Sequence, residues 1–295
     1  MTMALRGAIT ALVTPFTEAM QVDTAALGAL VEWQVAEGIH GLVPVGSTGE
    51  AVTLAIGERE RIVRITAECA AGRVPVIAGA GSNDTAAAIK WSHTLASAGA
   101  THLLHVSPMY NKPPQRGILA HFRSVADASP VPIIVYNVPG RTGSNLRVET
   151  TLALAEHPNI CAVKEASGDL AQIEEIIRHR PAGFGVFSGD DGLTFSVMLA
   201  GGDGVISVIS NAVPRLTAAL ADACAAGDLA TARALHHRLA PLVGAAFIES
   251  NPLPIKAALA MMGRIRNQLR LPLVPMDPAH EPALRAALAG AGVAL

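Results

Sequence analysis

The chain has 295 residues, of which 51% are hydrophobic and 16% charged, with a formal net charge of −2. That length allows one large domain or two ordinary ones, and the apolar content supports a sizeable core, which excludes a disordered chain. A slightly acidic balance with no Lys/Arg cluster excludes an electrostatic footprint for nucleic acid.

The longest stretch without Asp, Glu, Lys or Arg runs from Trp91 to Asn111 and holds three histidines, a glycine and a proline, so it is not a membrane span. Ala8–Val13 follows Arg6 and leads into Thr14-Pro15 with no small-residue cleavage site; it reads as a first strand, not a signal peptide. Cys69, Cys161 and Cys224 are far apart and odd in number. They suggest reduced thiols in a cytoplasmic protein and have no metal-ligand spacing. His236-His237, on a charged helix, reads as a solvated face.

In chain order, short apolar runs recur at Ala8–Val13, Gly41–Val45, Val74–Ala78, His102–Val106, Pro132–Tyr136, Ile160–Val163, Gly185–Phe187 and Gly204–Val208. Helical spacing fills the gaps at Thr24–Glu37, Glu58–Ala71 between Gly57 and Gly72, Thr85–Ala98 behind an Asn83-Asp84 cap, Leu170–His179 and Pro214–Ala226. Eight strands alternating with helices at near-even spacing predict a parallel (β/α)8 TIM barrel rather than an open sheet, whose first turn would carry glycines where Thr14-Pro-Phe-Thr17 stands. After Gly227 the strands stop. Asp228–Ile248, Pro254–Met262 and Glu281–Ala289, with Gly290 placed to end the last, predict a C-terminal helical extension. The expected division is a barrel carrying the active site over residues 1–226 and a helical region over 227–295.

Barrel enzymes place chemistry at the C-terminal ends of their strands. Those ends read Gly46-Ser-Thr-Gly-Glu50, Ser107-Pro-Met-Tyr-Asn111, Tyr136-Asn-Val-Pro-Gly-Arg-Thr-Gly143, Lys164 and Ser188-Gly-Asp-Asp191. Any one alone is ordinary turn chemistry; together they make a mouth. Of the four lysines, Lys90, Lys112, Lys164 and Lys256, only Lys164 ends an apolar strand. Desolvation there favours the neutral, nucleophilic amine. Such an amine forms an imine with a ketone, and a nearby tyrosine and hydroxyl suffice to shuttle protons. Amides of the Gly46–Glu50 turn can form a nest for a 2-oxo acid carboxylate, and Arg141 can clamp a second carboxylate. The residues thus point to a class I aldolase-type lyase on a small keto acid, with no metal or other cofactor, because the imine is the electron sink.

The chain resembles the dihydrodipicolinate synthase / N-acetylneuraminate lyase family over nearly its whole length. The motifs that carry the resemblance are Val45-Gly-Ser-Thr-Gly-Glu50, Tyr136–Gly143, Lys164-Glu-Ala-Ser-Gly168, Ser188-Gly-Asp-Asp191, Gly204-Val-Ile-Ser-Val208, Asn251-Pro-Leu-Pro254 and Leu269-Arg-Leu-Pro272. The resemblance implies that Lys164 forms a Schiff base with pyruvate under the acid/base Tyr136. It implies that Ser47 links Tyr136 to Tyr110 in a proton relay, that Thr48 binds the pyruvate carboxylate, and that Gly189 and Ile206 add backbone contacts. Ser47 departs from the threonine usual in the synthases but keeps the hydroxyl. Arg141 marks the synthase branch, where it binds the carboxylate of aspartate semialdehyde; the product would enter the diaminopimelate and lysine pathway. The alternatives are a pyruvate-dependent lyase of the same family acting on a sugar acid, or a catalytically silent binding protein on this barrel. The resemblance further implies a homotetramer, a dimer of dimers, in which Tyr110 reaches the neighbouring subunit's site. Feedback by lysine is expected to be weak or absent, because the serine and histidine positions of the lysine cleft read Ala51, Ile56 and Arg59. Its acidic position reads Ala87 and its stacking aromatic Met109, while Asn83 is retained and Glu58 is the one nearby acid.

Overall fold

The structure, a computed structural model, describes residues 5–295. Eight parallel strands run as β1 (Gly7–Ala11), β2 (Gly41–Val43), β3 (Ile77–Gly79), β4 (His102–Val106), β5 (Ile133–Asn137), β6 (Ile160–Glu165), β7 (Gly185–Ser188) and β8 (Gly204–Ser207). They pair in the order β2-β1-β8-β7-β6-β5-β4-β3. A parallel bridge from Leu42 to Val76 joins the two ends, so the sheet closes as a (β/α)8 barrel. Helices α1 (Thr24–Ala36), α2 (Ile56–Ala70), α3 (Thr85–Ser97), α4 (Gln115–Ala128), α5 (Pro139–Thr142), α6 (Val148–Ala155), α7 (Leu170–His179), α8 (Thr194–Leu199) and α9 (Pro214–Ala225) lie between and after the strands. Helices α10 (Leu229–Ala246), α11 (Leu253–Met261) and α12 (Glu281–Ala291) complete the chain.

Strand alternation splits the core. Ala8, Leu42, Leu103, Val135, Val163 and Val186 point outward under the helices. Ile9, Val43, Ile77, Leu104, Ile134, Tyr136, Ala162, Phe187 and Ile206 fill the barrel interior. Helix starts are set by aspartates: Asp23, Asp84, Asp169 and Asp228 each accept a hydrogen bond from an amide of the first turn.

Several boundaries differ from the sequence expectation. The third strand begins at Ile77, not Val74, because Pro75 has no amide to donate to a ladder. The last helix runs through Gly290, where a side chain would meet open space, and ends at Gly292, whose φ of +88° lets the chain turn away. The sequence periodicity does not delineate α4, α6 and α8; the latter two have eight and six residues, about two turns each. His236 is not fully solvated: its ring stacks on Phe195, with centroids 5.3 Å apart.

Candidate active site

Strand β6 continues past Lys164 to Glu165, so the lysine lies inside the ladder rather than at its end. Pairing sets its neighbours: Lys164 is in register with Tyr136 on β5 and with Phe187 on β7. Tyr136 and Lys164 therefore point inward side by side, with Lys164 Nζ 4.3 Å from the centre of the tyrosine ring. On the opposite face, Glu165 is held by Asn137 Nδ2 and Gln172 Nε2, both at 2.7 Å, and by the Ser167 amide at 2.9 Å. This outward network pins the end of β6 and so the direction of the lysine.

Lys164 lines a cavity of about 480 Å³ at the C-terminal mouth of the barrel, a size suited to small ligands. Tyr136, Ser47, Thr48, Arg141 and Gly189 line it too, so the structure brings together six of the eight expected site residues. Gly189 is required: a Cβ there would lie 3.0 Å from Lys164 Cε and 2.7 Å from Ala166 Cβ. Ile206 is fully buried in the barrel interior and does not line this cavity. Tyr110 is 88% exposed, with a left-handed φ of +72°, and does not line the cavity.

Burial lowers the Lys164 pKa to about 8 from its ordinary 10.5; the Asp191 carboxylate opposes this shift and the Arg141 charge adds to it. Burial pushes the Tyr136 phenol up to about 12, against the pull of Arg141. Neither the lysine ammonium nor the phenol has a hydrogen-bond partner among the described residues, so both are free to engage a ligand. Asp191, raised in pKa by burial, accepts from the amides of Val208 at 2.8 Å and Ile209 at 3.2 Å.

A second lysine is as deeply buried, which the sequence did not suggest. Lys256 is 0% exposed, its pKa also lowered by burial, yet Nζ donates to Glu50 Oε1 at 2.5 Å and to the Thr14 carbonyl at 2.9 Å. It lies outside the cavity. Burial alone therefore does not single out a nucleophile; freedom from a counter-ion and access to the cavity do.

The Gly46–Glu50 turn is held under strain. Val45 and Glu50, on either side of it, have φ of +51° and +55°. The Gly49 and Glu50 amides close the turn onto the Gly46 and Ser47 carbonyls. The Ser47 and Thr48 amides have no acceptor among the described residues, so the nest for an anion comes from these two rather than from the whole motif. Glu50 is turned away from the cavity and joins the turn to α11 through Lys256 and to the Arg270 amide at 3.0 Å.

Asn251, within the Asn251-Pro-Leu-Pro254 motif, is a cavity residue to which the sequence alone gives no role. It sits in the connector before α11, lines the cavity, and donates Nδ2 to Thr48 Oγ1 at 2.9 Å. Its carbonyl accepts from Arg141 Nη2 at 3.1 Å. An Asn-Pro step in a connector is the only local signal it leaves. Among the described residues no group of three or more His, Cys, Asp or Glu is placed to hold a metal ion, and no helix is long and apolar enough to cross a membrane. The three cysteines are free thiols.

A family model, the dihydrodipicolinate synthetase family, matches residues 4–291. A 4-hydroxy-tetrahydrodipicolinate synthase of Nitratidesulfovibrio vulgaris is 49% identical over 292 residues, 99% of this chain and 100% of that protein. The chloride-inhibited dihydrodipicolinate synthase of Acinetobacter baumannii, solved with pyruvate, superposes with a TM-score of 0.97 at 40% identity, over 98% of this chain and 100% of that one. A monomeric dihydrodipicolinate synthase variant superposes with a TM-score of 0.96 at 41% identity, over 98% and 97% of the two chains.

Proposed function

The chain belongs to the dihydrodipicolinate synthetase family, and we propose that it condenses pyruvate with aspartate semialdehyde, as a 4-hydroxy-tetrahydrodipicolinate synthase, through an imine on Lys164. The observation that carries this reading is the Lys164–Tyr136 pair: a buried amine with a pKa near 8 and no counter-ion, beside a phenol, in one small cavity.

The neutral Lys164 amine attacks the keto carbon of pyruvate, and loss of water leaves the imine. Thr48 and the free amides of the turn hold the carboxylate. Tyr136 gives the proton with which the carbinolamine hydroxyl leaves as water, takes up the methyl proton released as the imine becomes the enamine, and returns it to the oxygen of the aldehyde after addition, with Ser47 and the partner subunit's Tyr110 as its relay to solvent. The enamine carbon adds to the aldehyde of aspartate semialdehyde, whose carboxylate pairs with Arg141. The α-amine of that substrate then displaces Lys164 from the imine carbon, closing the ring and freeing the lysine. Gly189 leaves the space beside Lys164 Cε that the imine needs, and the part of Ile206 is a backbone contact from beneath the cavity rather than a place on its wall. The barrel of residues 1–226 carries this chemistry, residues 227–295 brace it, and the protein works as a cytoplasmic homotetramer in which exposed Tyr110 completes a neighbour's site.

Borohydride reduction in the presence of pyruvate tests the reading. Peptide mapping should find the pyruvate-derived mass on Lys164. An adduct on Lys90, Lys112 or Lys256, or none at all, overturns it.

A further inference from the structure

Beyond the residues named above as chemistry-bearing, the cavity holds a buried polar side chain that is tied to two of them: Asn251, 7% exposed and contributed by the connector between α10 and α11. It is bonded to both anion-binding side chains of the barrel. Its Nδ2 donates to Thr48 Oγ1, 203 positions away in sequence, and its main-chain carbonyl accepts from Arg141 Nη2, 110 positions away.

We propose that Asn251 is a positioning residue that fixes the polarity of the Thr48 hydroxyl and thereby makes it a donor to the substrate carboxylate. This rests on the reading that Thr48 binds the carboxylate of a 2-oxo acid. A hydroxyl has one proton and two lone pairs. The amide proton of Asn251 occupies a lone pair of Thr48 Oγ1, so the hydroxyl proton is left to point elsewhere, into the cavity that Thr48 lines. A carboxylate can only accept, so a hydroxyl held in the opposite sense would repel it with a lone pair. The same residue spaces the second anion group, because Arg141 is tied to its carbonyl.

A second observation supports a functional role. Asn251 Oδ1 is buried with no hydrogen-bond partner among the described residues. An unpartnered buried acceptor destabilises the fold, and an apolar side chain of similar size would remove that penalty. Packing alone therefore does not account for an amide at this position; its donor half does.

The test is a double-mutant cycle on the full-length protein as it assembles in solution, with pyruvate KM and borohydride trapping as readouts. Thr48→Val should raise pyruvate KM about tenfold, the scale of one charge-assisted hydrogen bond. Asn251→Ala should raise it by a similar factor, and the Asn251→Ala, Thr48→Val double variant should be no worse than Thr48→Val alone. Asn251→Asp, which keeps the shape but replaces the donor with an acceptor, should raise pyruvate KM more than Asn251→Ala while kcat changes less. It also serves as the second arm if the alanine variant fails to fold. Independent, multiplying effects of Thr48 and Asn251, or an Asn251→Asp protein with parental pyruvate KM, overturn the positioning role. A Thr48→Val protein with parental KM that still traps pyruvate on Lys164 overturns the carboxylate assignment itself, and loss of trapping at Lys164 in the parent overturns the imine reading instead.

Discussion

Replacing Lys256 with methionine should separate the two buried lysines by what each one does. Lys256 and Glu50 are both 0% exposed and 2.5 Å apart. Removing the ammonium leaves the Glu50 carboxylate buried, with the Arg270 amide as its one remaining hydrogen-bond donor among the described residues. Breaking such a pair by deleting one partner costs about 3–5 kcal/mol. The entropy of unfolding is about 2.1 cal/mol/K per residue, or roughly 0.6 kcal/mol/K for a chain of 295 residues. The melting temperature should therefore fall by about 5–8 °C. Neutralising the survivor as well, in the Glu50→Gln, Lys256→Met double variant, should recover most of that loss, because Gln still accepts from the Arg270 amide. Thermal denaturation followed by circular dichroism reads the first effect. Below its melting temperature, the Lys256→Met protein should still trap pyruvate on Lys164, since Lys256 lies outside the cavity. A melting temperature within a degree or so of the parent's, given the ~3–5 kcal/mol expected, would refute the structural role. Loss of trapping in a folded protein would show that the wrong lysine has been assigned.

Imine formation should rise with pH around a midpoint near 8, as the neutral amine appears; a midpoint at the ordinary 10.5 would contradict the buried, unpaired environment of Lys164. Arg141→Ala removes a charge that lowers this pKa, so the midpoint should move up. The same variant should lose most of its rate with aspartate semialdehyde, by about 1.5–3 kcal/mol in kcat/KM, while still forming the pyruvate imine. Mixing inactive Tyr110→Phe and Lys164→Ala subunits should regenerate activity if Tyr110 serves a neighbour, and verified exchange without recovery would place it in its own chain's site. Free lysine should inhibit weakly or not at all. Arg59 is fixed over the Trp91 ring at 4.3 Å and bonded to the Ala51 and Leu54 carbonyls, and Glu58 is engaged by Arg270, so a ligand ammonium would meet a cation and no free acid; strong inhibition at submillimolar lysine, roughly the affinity of one or two good charge pairs, would overturn this. Finally, burial depresses the His105 pKa from 6.5 to about 3. The unfolded chain takes up that proton first, so the histidine's contribution is full above pH 6.5 and is lost as pH falls towards 3. Denaturant titrations should show a slope of up to about 1.4 kcal/mol per pH unit in that window from this one group, and His105→Leu should flatten it.

The barrel was legible because its signals are local and repeated. Eight apolar runs at near-even spacing, most of them with a helix-like stretch between, need no long-range information to be read as a parallel closed sheet, and the polar residues at the strand ends then follow as candidates. Lys164 and Tyr136 stood out for the same reason, each at the end of its own run. The sequence did not determine which strand residues share a register, and the pairing of Lys164 with Tyr136 is what places the amine beside the phenol. Nor could it distinguish a free buried lysine from a paired one. Lys256 looked like an ordinary helix-start residue, because its partner Glu50 is 206 positions away and only the packing of α11 against the strained turn brings them together. Asn251 was missed on the same ground: its contacts with Thr48 and Arg141 span 203 and 110 positions, and no spacing in a sequence encodes them. Local chemistry named the groups. Tertiary packing decided which were desolvated, which were neutralised by a partner and which were left free to react, because burial and counter-charges are properties of the folded surroundings and not of the residue.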